Sequence, residues 1–271
     1  MGLRSWLKRM MGQSGPVIPV VRLHGVIAAE QRPGRLNIET VAPLLKRAFA
    51  HKAAPAVAII VNSPGGSPVQ SRLIAKRIRD LAAENHKPVL VFVEDAAASG
   101  GYFIATAGDE IIADPSSIVG SIGVIYAGFG FVGTLERLGV ERRVHTSGRN
   151  KSTLDPFLPE KAEDVERVKA MEAEIHGVFV DWVKSRRGSR FRAADDMLFT
   201  GEFWSGVRGL ELGLVDGLGD IHETLRSRYG DEIELRIIAP RRGLFQLPRL
   251  GLGAELAAAV EDRAHWTRFG L

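Results

Sequence analysis

The chain contains no cysteine. That excludes disulfides, thiolate nucleophiles and cysteine-ligated metals together, and leaves the redox compartment open. Nowhere do about 18 apolar residues run together, and the amino terminus lacks the apolar core of a secretory signal. The expectation is therefore a chain that stays cytoplasmic or sits peripherally on the cytoplasmic membrane. An excess of one charge is missing too: 36 Lys and Arg against 32 Asp and Glu leave +4 on 271 residues, too little and too dispersed to argue for nucleic acid.

What is present is a globular composition, 45% hydrophobic and 25% charged, enough for one large domain or one domain with a small appendage. In the opening MGLRSWLKRMM, the apolar Leu3, Trp6, Leu7 and Met10 fall at helical spacing while Arg4, Lys8 and Arg9 crowd the other side. Residues 1–13 read as a helix lying on an anionic bilayer, or as a frayed basic terminus or small docking helix. Residues 1–16 are set apart as a basic amphipathic segment.

Beyond it, VIPVVRLHGVIA (17–28), AVAIIVNS (56–63), PVLVFVED (88–95), DEIIAD (109–114) and ERRVHT (141–146) read as strands, several apolar on both faces as in a covered parallel sheet. Helical patterns fill the gaps at 38–50, 68–84, 99–107 and 131–138. Alternating strand and helix predicts an α/β fold with crossover connections. A longer amphipathic helix is expected over 159–186, opened by Pro159, with Val165, Val168, Ile175, Val178, Phe179 and Trp182 on one side. Residues 239–271 read as a Pro/Gly/Arg-rich linker and a terminal helix.

The stretch VEDAAASGGYFIATAGDEI (93–111) sets one serine between three alanines and two glycines, after a strand and before a helix. Ser99 is thereby placed at a helix start on the carboxyl edge of the sheet, where ligands of open α/β folds gather. Two readings stand: an N-cap followed by glycines for close packing, or a nucleophile beside N–H groups able to hold an oxyanion. A second loop, VNSPGGSPVQ (61–70), also ends a strand and opens a helix, and the N–H groups of Gly65 and Gly66 are candidate oxyanion donors. A phosphate-binding loop is disfavoured because the Gly-Lys-Ser/Thr ending is missing after Gly66.

A nucleophilic serine needs a base. None of the seven histidines lies between Ser99 and His145 or beside a glycine-rich loop on the expected edge, which disfavours a Ser-His-Asp triad. Lysine can serve if burial lowers its pKa, and the candidate is Lys151 in TSGRNKSTLDPF.

The combination of NSPGGS, AASGGYFIATAGDEI, GSIGVI (120–125), SGRNKSTLDPF and LFTGEFWSGVRGLELGLVDGLGD (198–220) closely resembles the signal peptide peptidase A family of serine-lysine peptidases, over residues 17–238. The resemblance implies an α/β ClpP/crotonase-like fold with helical extensions at its C-terminal side, Ser99 as nucleophile and Lys151 as general base. It implies that Ser121 hydrogen-bonds the lysine, and that the NSPGGS glycines with the Gly100 N–H form the oxyanion hole. No metal or cofactor is implied. The chain matches the short form, with one catalytic unit, which implies a ring-like homo-oligomer, put at eight chains, with Lys151 supplied by a neighbour. Expected substrates are hydrophobic peptides such as cleaved signal peptides or membrane-protein fragments. The alternatives are a stomatin-like-protein peptidase, a silent scaffold, or an acyl-CoA enzyme of the crotonase-like fold with Glu94 or Asp95 as acid/base.

Overall fold

The computed structural model describes residues 15–32, 34–240 and 262–271. The amphipathic segment 1–13 and residues 241–261 of the expected linker and terminal helix lie outside them. In chain order the first half comprises β1 (Val17–His24), β2 (Val26–Ile27), β3 (Arg35–Leu36), α1 (Ile38–Phe49), β4 (Val57–Ser63), α2 (Pro68–Asn85), β5 (Val89–Ala98), α3 (Gly100–Ala105), β6 (Glu110–Ala113) and β7 (Ile118–Gly120). The second half comprises α4 (Val132–Leu138), α5 (Ala162–Arg187), α6 (Asp195–Leu198), β8 (Phe203–Ser205), α7 (Gly206–Leu212), β9 (Gly217–Leu218), α8 (Ile221–Tyr229) and β10 (Glu234–Ile237). Among the described residues no helix is long and apolar enough to cross a membrane.

An eight-stranded sheet runs β10-β1-β4-β5-β6-β9, with β7 added to the far half of β5 and β8 antiparallel on β7. The other pairings of this sheet are parallel, as crossover helices between strands require. Because successive side chains alternate between faces, Val57, Ile59, Val61, Val89, Val91 and Val93 join one core, while Ala58, Ile60, Leu90 and Phe92 join a second, closed by Leu225 of α8. Both faces are covered, which is why β4 is buried along its whole length.

Helix starts follow local chemistry. Asn37 and Thr40 exchange side-chain and backbone bonds in a capping box at α1. Ser67 caps α2 by accepting from the Gln70 N–H at 3.4 Å, with Pro68 at the first helical position. The latter half of α5 packs on α3: the Phe103 ring lies 5.0 Å from Phe179 and 5.3 Å from Trp182, pairs worth about 0.5–1.5 kcal/mol each beyond area burial. The Trp182 N–H is satisfied by Thr106 Oγ1 at 2.9 Å.

One expected strand is absent. Residues 141–146 carry no strand and are mostly exposed, because no neighbouring strand lies beside them to take their backbone bonds. The predicted strand over 17–28 is broken at Gly25, whose φ of +116° lets its backbone come within reach of Gly34, where a Cβ would meet the carbonyl oxygen at 1.8 Å.

Candidate active site

The site begins with an irregularity in β5. Val61 pairs with Val93, yet the next pair is Ser63 with Ala97, so β5 bulges over Glu94–Ala96. Asn62 fills the gap, donating to Asp95 at 2.5 Å and accepting from the Ala96 N–H at 3.2 Å. The bulge turns the acids outward: Asp95 is exposed and Glu94 pairs with Arg22 at 2.9 Å. It also re-aims the end of the strand, so that Ala96, Ala97 and Ala98 pair with Ile118, Val119 and Gly120 of β7.

Ser99 follows at once, with φ +50° and ψ −121°. A left-handed conformation in a non-glycine residue costs on the order of 1–3 kcal/mol and survives only where the surroundings over-determine it. Here the Ser99 N–H donates to Gly120 O at 2.8 Å and its carbonyl accepts from Phe103 N at 3.0 Å. Its hydroxyl makes no cap bond to α3, which removes the N-cap reading. Half-buried, Ser99 stands in the wall of a cavity of about 910 Å³ that Ser121 also lines. Ser121 repeats the backbone strain at φ +53° and is 2% exposed.

The NSPGGS loop closes against this serine. Ile27 N–H donates to Gly65 O and Ser67 N–H to Ile27 O, both at 2.8 Å. This parallel bridge turns the Gly66 N–H away from Ile27. A Cβ at Gly100 would lie 3.4 Å from Gly66 N, and one at Gly65 would lie 2.8 Å from Ser99 Cβ and 2.9 Å from Gly100 N. The Gly66 and Gly100 amides therefore flank Ser99, and among the described residues neither meets a protein acceptor. Gly65, expected as a donor, spends its N–H on Ser63 Oγ at 3.2 Å; its part is the close approach that a side chain would block.

Lys151 is not brought to this cavity within the chain. It is exposed on a turn, its N–H bonded to Gly148 O at 3.3 Å, in an arm whose aromatic residues Phe129, Phe131 and Phe157 pack on each other. Glu94 and Asp95 do not line the cavity either. Several lining residues were not expected from the sequence as cleft residues: Ile27 and Phe103, Val178 and Phe179 of α5, and His265 and Arg268 near the end of the chain. Only the apolar stripe of α5 carried a signal for any of them.

Residues 82–231 match the description of peptidase family S49. A Na(+)/H(+) antiporter NhaA of Brucella melitensis biotype 1 is 56% identical over 273 residues, covering 94% of this chain and 37% of that protein. Protease 4 of Salmonella typhi is 32% identical over 215 residues, 78% of this chain and 34% of that protein. The chain thus spans little more than a third of these relatives, and the antiporter activity in the first name is said of that protein. Among solved structures, the 1510-N membrane-bound stomatin-specific protease, held there with a substrate peptide, superposes with a TM-score of 0.51 at 18% identity, covering 92% of this chain and 99% of that one. This likeness shows that the two chains share a fold.

Proposed function

We propose that this chain, which belongs to peptidase family S49, is a serine endopeptidase in which Ser99 is the nucleophile and Lys151 the general base. The observation that carries this reading is Ser99 itself: a strained, uncapped serine in a cavity wall, flanked by the unengaged amides of Gly66 and Gly100.

The base comes from a neighbouring copy. In support, Lys151 is exposed outside its own chain's cleft, and the arm around it presents Phe129 82%, Leu138 69% and Ile125 66% exposed, an apolar patch of the kind a second subunit covers. Repeated head to tail, such a contact closes a ring, for which the family resemblance suggests eight copies. Peripheral contact with a membrane surface through residues 1–13 belongs to the same reading, on the motive of their apolar and basic stripes.

In the reaction, the Lys151 amine, held by the Ser121 hydroxyl, takes the Ser99 proton as Oγ attacks a peptide carbonyl. The Gly66 and Gly100 amides receive the oxyanion. The protonated amine then passes its proton to the departing peptide nitrogen, and water, activated by the same amine, hydrolyses the acyl-enzyme. Ile27, Phe103, Ile125, Val178 and Phe179 in the cavity wall suit apolar side chains, which supports hydrophobic peptides, such as cleaved signal peptides or membrane-protein fragments, as substrates. Acyl-CoA chemistry would need Glu94 or Asp95 in the cleft, and neither lines it.

Labelling with a fluorophosphonate probe tests the assignment. The wild-type protein should label at Ser99 and the Ser99→Ala protein should not; label retained in the variant, with peptide hydrolysis, sinks it.

A further inference from the structure

The cavity that holds Ser99 is walled in part by the end of the chain. Residues 262–267 are helical and 268–270 turn, and contacts hold this segment to both banks. Asp262 pairs at 3.0 Å with Arg35, whose side chain is 5% exposed. Trp266 stacks on His24 at the end of β1, ring centroids 6.0 Å apart. Phe269, buried, meets Phe203 of β8 edge-on at 5.0 Å. Because β1 and β8 lie on opposite sides of β5, the segment crosses the carboxyl edge of the sheet where Ser99 stands.

Between those anchors, His265 and Arg268 line the cavity. Among the described residues its charges do not balance. Glu30 is the carboxylate among the described lining residues, and it is engaged by Arg35 at 2.7 Å. Arg72 and Arg268 also line the cavity, and among the described residues no carboxylate comes within ion-pair distance of either. Two guanidinium groups without a described carboxylate partner, beside apolar walls, focus a positive potential into the cleft, and a guanidinium fork matches a carboxylate with paired hydrogen bonds.

We propose that Arg268, with Arg72 and His265, forms a subsite for a carboxylate of the bound peptide, while apolar side chains of that peptide lie against Ile27, Val178 and Phe179. This rests on the reading of the cavity as a peptide site. The carboxylate belongs either to an acidic side chain or to the free end of the peptide, and the two sources differ only in where the charge sits along the chain.

Binding to the full-length Ser99→Ala protein tests the subsite without requiring turnover. Three fluorescent peptides share one apolar sequence: a Glu version with an amidated end, its Gln counterpart with an amidated end, and the Gln version with a free carboxyl end. One of the two charged peptides should bind about tenfold tighter than the neutral one, with the gap narrowing as salt is raised. A tighter Glu peptide identifies a side chain, a tighter free-ended peptide a terminus. Adding Arg268→Gln should remove most of the gap by weakening the charged peptide far more than the neutral one, whereas Arg268→Lys should retain more of it; Arg72→Gln should reduce it. Equal Kd values for all three peptides, or a loss on Arg268→Gln shared equally by the neutral peptide, overturns the subsite. Fluorophosphonate labelling of the wild type keeps the two readings apart. A labelled protein without charge preference loses only the subsite; an unlabelled one with it loses only the peptidase assignment.

Discussion

Ser99 and Ser121 leave neighbouring parallel strands one residue beyond the paired Ala98 and Gly120, and both are left-handed, at φ +50° and +53°. The Ser99 N–H bonded to Gly120 O at 2.8 Å ties the two departures together. One piece of sheet register thereby sets two hydroxyl-bearing residues in one cavity wall.

If Ser99 is the proposed nucleophile, Ser99→Ala should lower peptide hydrolysis at least about 10³-fold, because only the proposed oxyanion donors would remain. Ser121→Ala, which on the proposed mechanism removes a hydroxyl that orients the base, should cost less, about 10²-fold. Alanine tolerates positive φ no better than serine, so thermal unfolding should be nearly unchanged in both. Comparable losses in the two variants would show that Ser121 does more than orient.

The glycines around Ser99 make a stability prediction with a built-in control. A Cβ at position 100 would sit 2.3 Å from Ser71 Oγ and 3.2 Å from Ile27 Cδ1, an overpacking that costs about 1–3 kcal/mol. Gly100→Ala should lower the denaturant midpoint, and Ser71→Ala in the same chain should restore part of it, since the closer obstacle is the Ser71 hydroxyl. Rescue absent from the double variant would place the obstacle at Ile27 or the Gly66 backbone instead.

Arg187 and Asp216 support the second half of the chain from inside. Their side chains are 1% and 18% exposed and meet at 2.9 Å and 3.1 Å, and Asp216 also accepts from the Ile111 N–H at 2.7 Å. Burial pushes the Asp216 carboxyl up, but the bonds and charge of Arg187, with the Ile111 amide, outweigh it and hold it below the usual carboxylate value. A carboxyl depressed on folding stabilises the protein above its unfolded pKa, about 3.9, and that share is lost as pH falls through the lower folded value. Asp216→Asn should therefore cost about 3–5 kcal/mol at neutral pH by stranding Arg187, and should flatten the acid limb of the stability curve below about pH 4. Denaturant unfolding at several pH values reads both effects.

The legibility of this molecule in its sequence follows from length and reach. The strands around 57–63 and 89–98 show as apolar runs because both faces of the sheet are covered; Ser99 stands out as a lone serine among small residues at a strand-to-helix junction, a pattern that by itself leaves an N-cap beside a nucleophile until the hydroxyl is found to make no cap bond. β7 and β8 are three residues each, too short for any periodicity. The acids Glu94 and Asp95 look like chemistry in the sequence and prove to be a bulge, which depends on Asn62 from another strand. The end of the chain reads as a terminal helix, but its seat across the cleft depends on Arg35, His24 and Phe203, which no local pattern links to it.

The shared-site proposal has the sharpest consequence. Lys151→Arg should be as inactive as Lys151→Ala, because a guanidinium cannot deprotonate at accessible pH and so cannot take the Ser99 proton. The two dead proteins Ser99→Ala and Lys151→Ala should nevertheless revive each other. If each site takes its serine from one chain and its lysine from the next around a head-to-tail ring, a Lys151→Ala chain offers an intact Ser99 to the intact Lys151 of a Ser99→Ala neighbour. After dissociation, mixing in equal amounts and reassembly, each partner of a site is intact half the time, so about a quarter of the wild-type sites should return. A site built within one chain could never be whole in such a mixture, whatever its composition. Activity in the mixture and in neither parent establishes the shared site, and inactivity in oligomers shown by mass to be mixed rejects it.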